Sequence, residues 1–270
     1  MKLCRFQPLV FSVTEVSRAE CDSSPEPRLG HIERETVREI SGDLFGTWSP
    51  ADRTWRLNQV RLLPPVTPSK IVCIGRNYRE HAAELNNPIP KEPLIFLKPP
   101  SAVIGPDEPI VIPSISQRVD HEGELAIVIG RRCSQLPTDA DVRPFILGFT
   151  CLNDVTARDI QKADVQFTRG KGFDTFCPLG PILETALDLA ATRVSTFVNG
   201  IQRQSAPVSD MMFPVDVIIR WVSRMMTLMP GDVIATGTPA GVGPLAAGDV
   251  VEVVVTGIGT LRNPVVTQVL

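Results

Sequence analysis

Short apolar runs bounded by turn formers recur through most of the chain. Lys70 to Ile74, Leu94 to Leu97, Ile110 to Ile112, Leu125 to Ile129 and Phe145 to Leu152 each predict a buried strand. Residues 78–86 (Tyr-Arg-Glu-His-Ala-Ala-Glu-Leu-Asn) predict a short helix, stopped by Pro88. Val155 to Asp164 predicts a helical turn at its start. Val215 to Thr227 has helical period, with Ile218, Ile219, Val222 and Met226 on one side. Asn199-Gly200, inside Phe197 to Arg203, predicts a two-residue hairpin. Gly231-Asp232 and Gly248-Asp249 punctuate the last apolar runs and predict a strand-turn-strand finish. Residues 1–66 read differently, with a polar insert from Glu15 to Pro27 and weak, short strands. The proline-rich run Leu62 to Ser69 reads as a linker.

The strands do not alternate with helices of crossover length, which argues against a doubly wound nucleotide fold. Gly170-Lys171-Gly172 lacks the upstream glycine and the following Ser or Thr of a Walker loop, and Gly237 to Gly243 does not fit a dinucleotide fingerprint. The chain has 270 residues, 43% hydrophobic and 21% charged, enough to bury a substantial core in one large domain with a small partner. Its 25 prolines favour many short strands over a helical bundle. A net charge of −3 without a basic stripe offers nothing to nucleic acid or an anionic membrane. The six cysteines form no CxxC pair and read as reduced thiols of a cytoplasmic protein. The N-terminal apolar run, Leu9 to Val13, is too short for a signal peptide, and no stretch approaches a membrane span.

Three carboxylates carry the candidate chemistry. Glu122 and Glu124 lie two apart where a strand turns apolar, so they share a face. Asp154 lies in a second apolar stretch, Cys-Leu-Asn-Asp-Val. Each alone reads as a solvated strand end or a turn aspartate. Together, like charges entering a core lose hydration and repel, and a hard divalent cation is the simplest compensation. Oxygen donors without cysteine favour Mg²⁺ or Mn²⁺ over zinc. His121 points to the other face and reads as structural. His81 and Glu84 are three apart on the predicted helix. That spacing lets the carboxylate orient the imidazole as a general base, and Gly75 ahead of the helix suggests a mobile lid. Lys171 sits between two glycines that let the backbone approach a ligand, where it would neutralise an enolate or carboxylate. The loop Thr236 to Pro244 offers backbone N–H groups and the Thr238 hydroxyl to a carboxylate.

As a set, GRNYREHAAEL (75–85), IFLKPPSAVIG (95–105), DHEGELAIVIG (120–130), FTCLNDVTARDIQ (149–161), RGKGFDTFCPLGP (169–181) and GDVIATGTPAGVGP (231–244) resemble the fumarylacetoacetate hydrolase family over residues 70–270. The resemblance implies a β-rich α+β fold: a mixed β-sandwich roll catalytic domain (70–270) with a small, variable N-terminal domain (1–66), in a homodimer. It implies Mg²⁺ or Mn²⁺ held by Glu122, Glu124 and Asp154, a His-x-x-Glu lid pair at His81 and Glu84, and the family lysine at Lys171. It places Thr238 and Gln161 at the substrate, with Arg76 as a further carboxylate partner. The larger hydrolases of the family carry an additional aspartate at the metal that has no counterpart here, so the chain is similar to the shorter bacterial type.

Members of that family hydrolyse acylpyruvates and fumarylacetoacetate, decarboxylate oxaloacetate, or isomerise unsaturated 2-hydroxy dioates. The sequence therefore points to a 2-oxo acid as small-molecule partner, with cleavage, decarboxylation or tautomerisation all passing through a metal-stabilised enolate. The His81/Glu84 pair tilts the reading toward hydrolytic C–C cleavage of an acylpyruvate. An isomerase, tautomerase or decarboxylase of oxaloacetate or 2-hydroxymuconate-type dioates is the first alternative, and a non-catalytic metal- or ligand-binding relative the second. Loops 86–93 and 162–169 are where specificity would lie.

Overall fold

The computed structural model describes residues 1–9 and 26–268; most of the polar insert and Cys21 lie outside them. The first strands are β1 (Lys2–Pro8), β2 (Arg28–Glu33), β3 (Thr36–Gly42), β4 (Trp48–Arg56) and β5 (Val60–Leu63). Next come β6 (Ile71–Gly75), helix α1 (Arg79–Glu84), β7 (Leu94–Lys98), β8 (Val103–Ile104), β9 (Ile110–Ile112), β10 (Val119–His121) and β11 (Gly123–Ile129). Then follow β12 (Ile146–Asn153), β13 (Thr156–Ala157), α2 (Arg158–Ala163), α3 (Thr168–Lys171) and β14 (Cys177–Glu184). The chain continues through β15 (Arg193–Val198), β16 (Ile201–Pro207), α4 (Val215–Met225), β17 (Val233–Ala235), β18 (Gly243–Pro244), β19 (Val250–Val255) and β20 (Gly259–Thr267).

A large sheet runs β4-β3-β2-β1-β14-β12-β11-β17-β6-β7, with β5 also on β1 and β8 on β14. A second sheet has the order β16-β15-β19-β20-β9, and a small third one β13-β10-β18. The N-terminal strands are longer than their weak pattern suggests. They extend the large sheet through the pairing of Lys2 with Glu184 and Leu3 with Leu183.

Strand β11 is buried on both faces, which explains its near-continuous apolar run. Leu125, Ile127 and Ile129 pack with Ile218, Ile219 and Val222 of α4 and with Val253 and Val255 of β19. Ala126 and Val128, on the opposite face, pack with Leu152, Leu179, Val233 and Ala235. Glu122 and Glu124 continue the alternation of the second set, so the sheet delivers them to the face that ends in polar groups. The hairpin β15–β16 turns at Asn199-Gly200 with φ of 53° and 75°, the double positive φ that a type I′ turn requires.

Helix α1 lies as expected, but the turn that precedes it is not at Gly75. Gly75 is the last residue of β6 and pairs with Leu94. The left-handed turn falls instead at Arg76 (φ 56°), and a second one, at Asn86 (φ 52°), follows the helix. Among the described residues no helix is long and apolar enough to cross a membrane.

Candidate active site

The antiparallel pairing of β11 and β12 sets Gly123 opposite Asn153, and so brings Glu122 and Glu124 beside Asp154. Two short bonds lock the crossing. The Asp154 N–H donates to the Glu122 carbonyl at 2.8 Å, and the Glu122 N–H donates to Asn153 Oδ1 at 2.9 Å. One carboxylate oxygen from each of the three acids lies within 4.8 Å of the others, and all three side chains are buried.

Buried cations answer this charge. Lys171 Nζ donates to Glu122 Oε2 at 2.9 Å, to Asp154 Oδ2 at 2.5 Å and to Thr156 Oγ1 at 2.8 Å. Lys98, at the end of β7, donates to Asp154 Oδ1 at 2.7 Å. Arg158, at the start of α2, donates to Glu122 Oε1 at 2.5 Å, to Asp120 Oδ2 at 3.0 Å and to Gln161 Oε1 at 2.7 Å. Burial alone would raise the Glu122 carboxyl, yet Lys171 and Arg158 hold it well below the usual carboxylate range. Burial would likewise discharge Lys171, but Asp154 and Glu122 push its ammonium up.

Glu124 differs. It accepts the Gly237 N–H at 2.7 Å, but no cationic side chain among the described residues pairs with it. Burial first, then Asp154 and Glu122, push its carboxyl well above the ordinary range. The donor set therefore fits a hard divalent cation on two counts: it consists of oxygens alone, and one of its acids lacks a positive partner.

Helix α1 brings His81 and Glu84 to the same place. His81 Nδ1 lies 3.4 Å from Glu84 Oε2, and the Gly241 N–H donates to both Glu84 oxygens at 3.1 and 3.2 Å. The helix and the loop carrying Thr238 are thus tied together. A cavity of about 410 Å³ is lined by Glu122, Glu124, Asp154, His81, Glu84, Lys171, Thr238, Gln161 and Arg76, all nine residues singled out in the sequence. Its wall also includes Ile74, Leu85, Phe96 and Phe167. Phe96 and Phe167 meet edge to face at 5.5 Å between centroids, and Lys171 Nζ stands 4.9 Å over the Phe96 ring.

Several local details depart from the sequence reading. The glycines around Lys171 serve packing within the protein. A Cβ on Gly170 would stand 2.9 Å from the Gln161 backbone nitrogen, and one on Gly172 would stand 2.5 Å from the Thr168 carbonyl oxygen. The Gly237 N–H, expected to cradle a ligand carboxylate, is occupied by Glu124. His121 is buried and bonded to Gln204, the structural position its strand parity implies.

Lys98, Arg158, Asp120 and Gln204 were not singled out in the sequence. Lys98 closes an otherwise apolar strand and Arg158 follows Asp154 by four residues, so both carried a signal: a cation beside an acid that needs one. Gln204 comes from a distant strand and carried none.

Residues 70–266 match the family model described as fumarylacetoacetate (FAA) hydrolase C-terminal, and residues 22–65 match one described as Rv2993c-like, N-terminal. The chain is similar to a mitochondrial oxaloacetate tautomerase, fahd2, of Xenopus laevis: 45% identical over 222 residues, 77% of this chain and 69% of that one. It is similar to the crystal structure of a 5-carboxymethyl-2-hydroxymuconate delta-isomerase from Mycobacterium smegmatis, with 44% identity, TM-score 0.87, and 99% and 100% of the two chains covered. It is also similar to a maleylpyruvate hydrolase from Sphingobium sp. SYK-6 in complex with manganese(II) and pyruvate, with 31% identity, TM-score 0.78, and all of both chains covered. The match across most of its length, the β-rich fold and the acidic trio agree: this chain belongs to the fumarylacetoacetate hydrolase family.

Proposed function

We propose that this protein is a Mg²⁺- or Mn²⁺-dependent enzyme that moves a proton at C3 of a 2-oxo acid, interconverting its keto and enol forms or shifting its double bond. The observation that supports this most is the placement of a His–carboxylate pair and a buried acidic trio on the walls of one cavity. A divalent ion held by Glu122, Glu124 and Asp154 would supply Lewis acidity that makes the C3 protons easier to remove. With Nδ1 facing Glu84, His81 keeps Nε2 to take the C3 proton and return it. Lys171 stands beside the trio and opposes the negative charge that develops on the substrate oxygen. Arg158 and Gln161, joined at 2.7 Å, offer donors to the substrate carboxylate. Arg76, at the turn before α1, lines the same cavity.

The relatives shift the weight from hydrolysis to proton transfer, since the tautomerase and the isomerase are more similar to this chain than the hydrolase. Hydrolysis of an acylpyruvate is the second reading. It uses the same groups, with His81 deprotonating a water that attacks the distal carbonyl.

Ultraviolet absorbance of enolic oxaloacetate, acetylpyruvate and a 2-hydroxymuconate-type dioate, followed with added Mg²⁺ or Mn²⁺, tests both. Loss of enol absorbance with the carbon skeleton intact supports proton transfer. Release of pyruvate with a carboxylic acid supports hydrolysis. An unchanged enol signal with every substrate, in protein that binds metal, would sink both.

A further inference from the structure

Behind the acidic trio lies a closed polar network whose proton directions follow by elimination. Gln204, on β16, is buried. The Gly123 N–H can only donate, and it lies 3.0 Å from one terminal atom of the Gln204 amide, so that atom is the oxygen. The other terminal atom lies 2.7 Å from the Pro239 carbonyl oxygen, which can only accept, so it is the nitrogen. That nitrogen gives its second hydrogen to Thr238 Oγ1 at 2.7 Å. The single proton of Thr238 then goes to the Gly123 carbonyl oxygen at 2.9 Å. His121 Nδ1, 3.2 Å from the Gln204 oxygen, must carry a hydrogen.

Thr238 lines the cavity with Glu122 and Glu124. Its proton is committed and one lone pair is filled, so it has only a lone pair left for a ligand. A carboxylate oxygen placed there would meet a lone pair; a hydroxyl would be received. We propose that Gln204 makes Thr238 an obligate hydrogen-bond acceptor, so that this wall favours ligands presenting a hydroxyl, such as an enol or a 2-hydroxy acid, over ligands presenting only carboxylate oxygens. The inference rests on the reading of this cavity as a 2-oxo acid site. It deepens that reading by naming the tautomer the wall recognises. Gln204 acts here through Thr238 and is a positioning residue.

Titration calorimetry on Mg²⁺-loaded protein at pH 8 tests it with two probes of similar size. Glycolate carries one hydroxyl, and oxalate carries no hydrogen at all. Thr238→Val should weaken glycolate about tenfold, the scale of one lost hydrogen bond, and leave oxalate within about twofold or tighter. Thr238→Ser, which keeps the hydroxyl, should restore glycolate. Equal weakening of both probes in Thr238→Val would show that Thr238 donates, and would overturn the inference; so would unchanged glycolate binding. If neither probe binds the wild-type protein, the 2-oxo acid reading itself falls and this inference goes with it. Imidazole ¹⁵N chemical shifts of the Mg²⁺-loaded wild type provide a second arm independent of any folding defect at residue 238. His121 should carry a proton on Nδ1; a ring protonated on Nε2 alone would set a lone pair against the Gln204 oxygen, contradict the assigned amide orientation and overturn the inference.

Discussion

Replacing Glu124 by glutamine should stabilise the metal-free protein while removing its metal binding. The amide matches the carboxylate in shape and can still accept the Gly237 N–H that Glu124 now accepts at 2.7 Å. What disappears is a carboxyl that must either bear a charge within 4.8 Å of Glu122 and Asp154 or take up a proton to avoid it. At an effective dielectric of about 20, each such pair repels by about 3.5 kcal/mol at that separation. Lys171 offsets part of the repulsion, since its ammonium contacts both neighbours. A net gain of about 2–4 kcal/mol remains as the estimate for Glu124→Gln without metal.

The pH dependence has a definite sign. The Glu124 carboxyl is raised in the folded protein. A raised acid contributes stability that is fully present below its unfolded value and is lost as pH rises through the folded value. Metal-free wild type should therefore lose stability as pH climbs above the ordinary glutamate range, and Glu124→Gln should lose less. Urea denaturation of chelator-treated protein between pH 5 and pH 8, together with calorimetry of Mn²⁺ binding, measures both effects. The reasoning fails if the metal-free variant is less stable than wild type at pH 7.5, or if its Mn²⁺ affinity is unchanged.

Other perturbations address other parts of the site. His81→Ala should lower turnover by about 10²–10⁴, the usual contribution of a general base, with Mn²⁺ affinity nearly unchanged; wild-type rates would remove His81 from the chemistry. Gly170→Ala should displace α3 and Lys171, because the added Cβ would lie 2.9 Å from the Gln161 backbone nitrogen; reduced turnover and a lower melting temperature are expected, and a neutral result would show that α3 has room to shift. Asp232 is fully buried and accepts from Ser69, Lys70 and the Met229 N–H, so Asp232→Ala should cost about 3–5 kcal/mol in urea denaturation, and a loss under 1 kcal/mol would contradict it.

Local signals carried a good deal of the structure. The apolar run after Glu124 became β11 because a strand buried on both faces needs no alternation. Asn199-Gly200 became a hairpin because both positions take positive φ, which those residue types tolerate. The spacing of Glu122 and Glu124 was legible because a strand's period of two is fixed by its backbone. The convergence of Asp154 on them needed the β11–β12 register, which no local pattern states. Three carboxylates entering apolar stretches within about thirty residues suggested the grouping, and the resemblance to a known family implied the same set.

What stayed hidden depends on long-range packing. The N-terminal strands looked weak alone because much of their stability comes from extending a sheet begun by β14. Gln204 reaches the site from β16, 80 residues beyond Glu124, and only the fold shows that it joins Gly123 to Thr238. The glycines beside Lys171 suggested ligand approach, and the close contact of Gly170 with Gln161 is invisible without coordinates.

The central claim is that Glu122, Glu124 and Asp154 grip one divalent ion that the substrate must also reach. Anomalous diffraction from crystals grown with Mn²⁺ and oxalate tests it most directly. The expected result is one strong anomalous peak bonded to those three carboxylates, with oxalate on its open side. Full Mn²⁺ in the crystal solution with no peak between the three side chains would contradict the account.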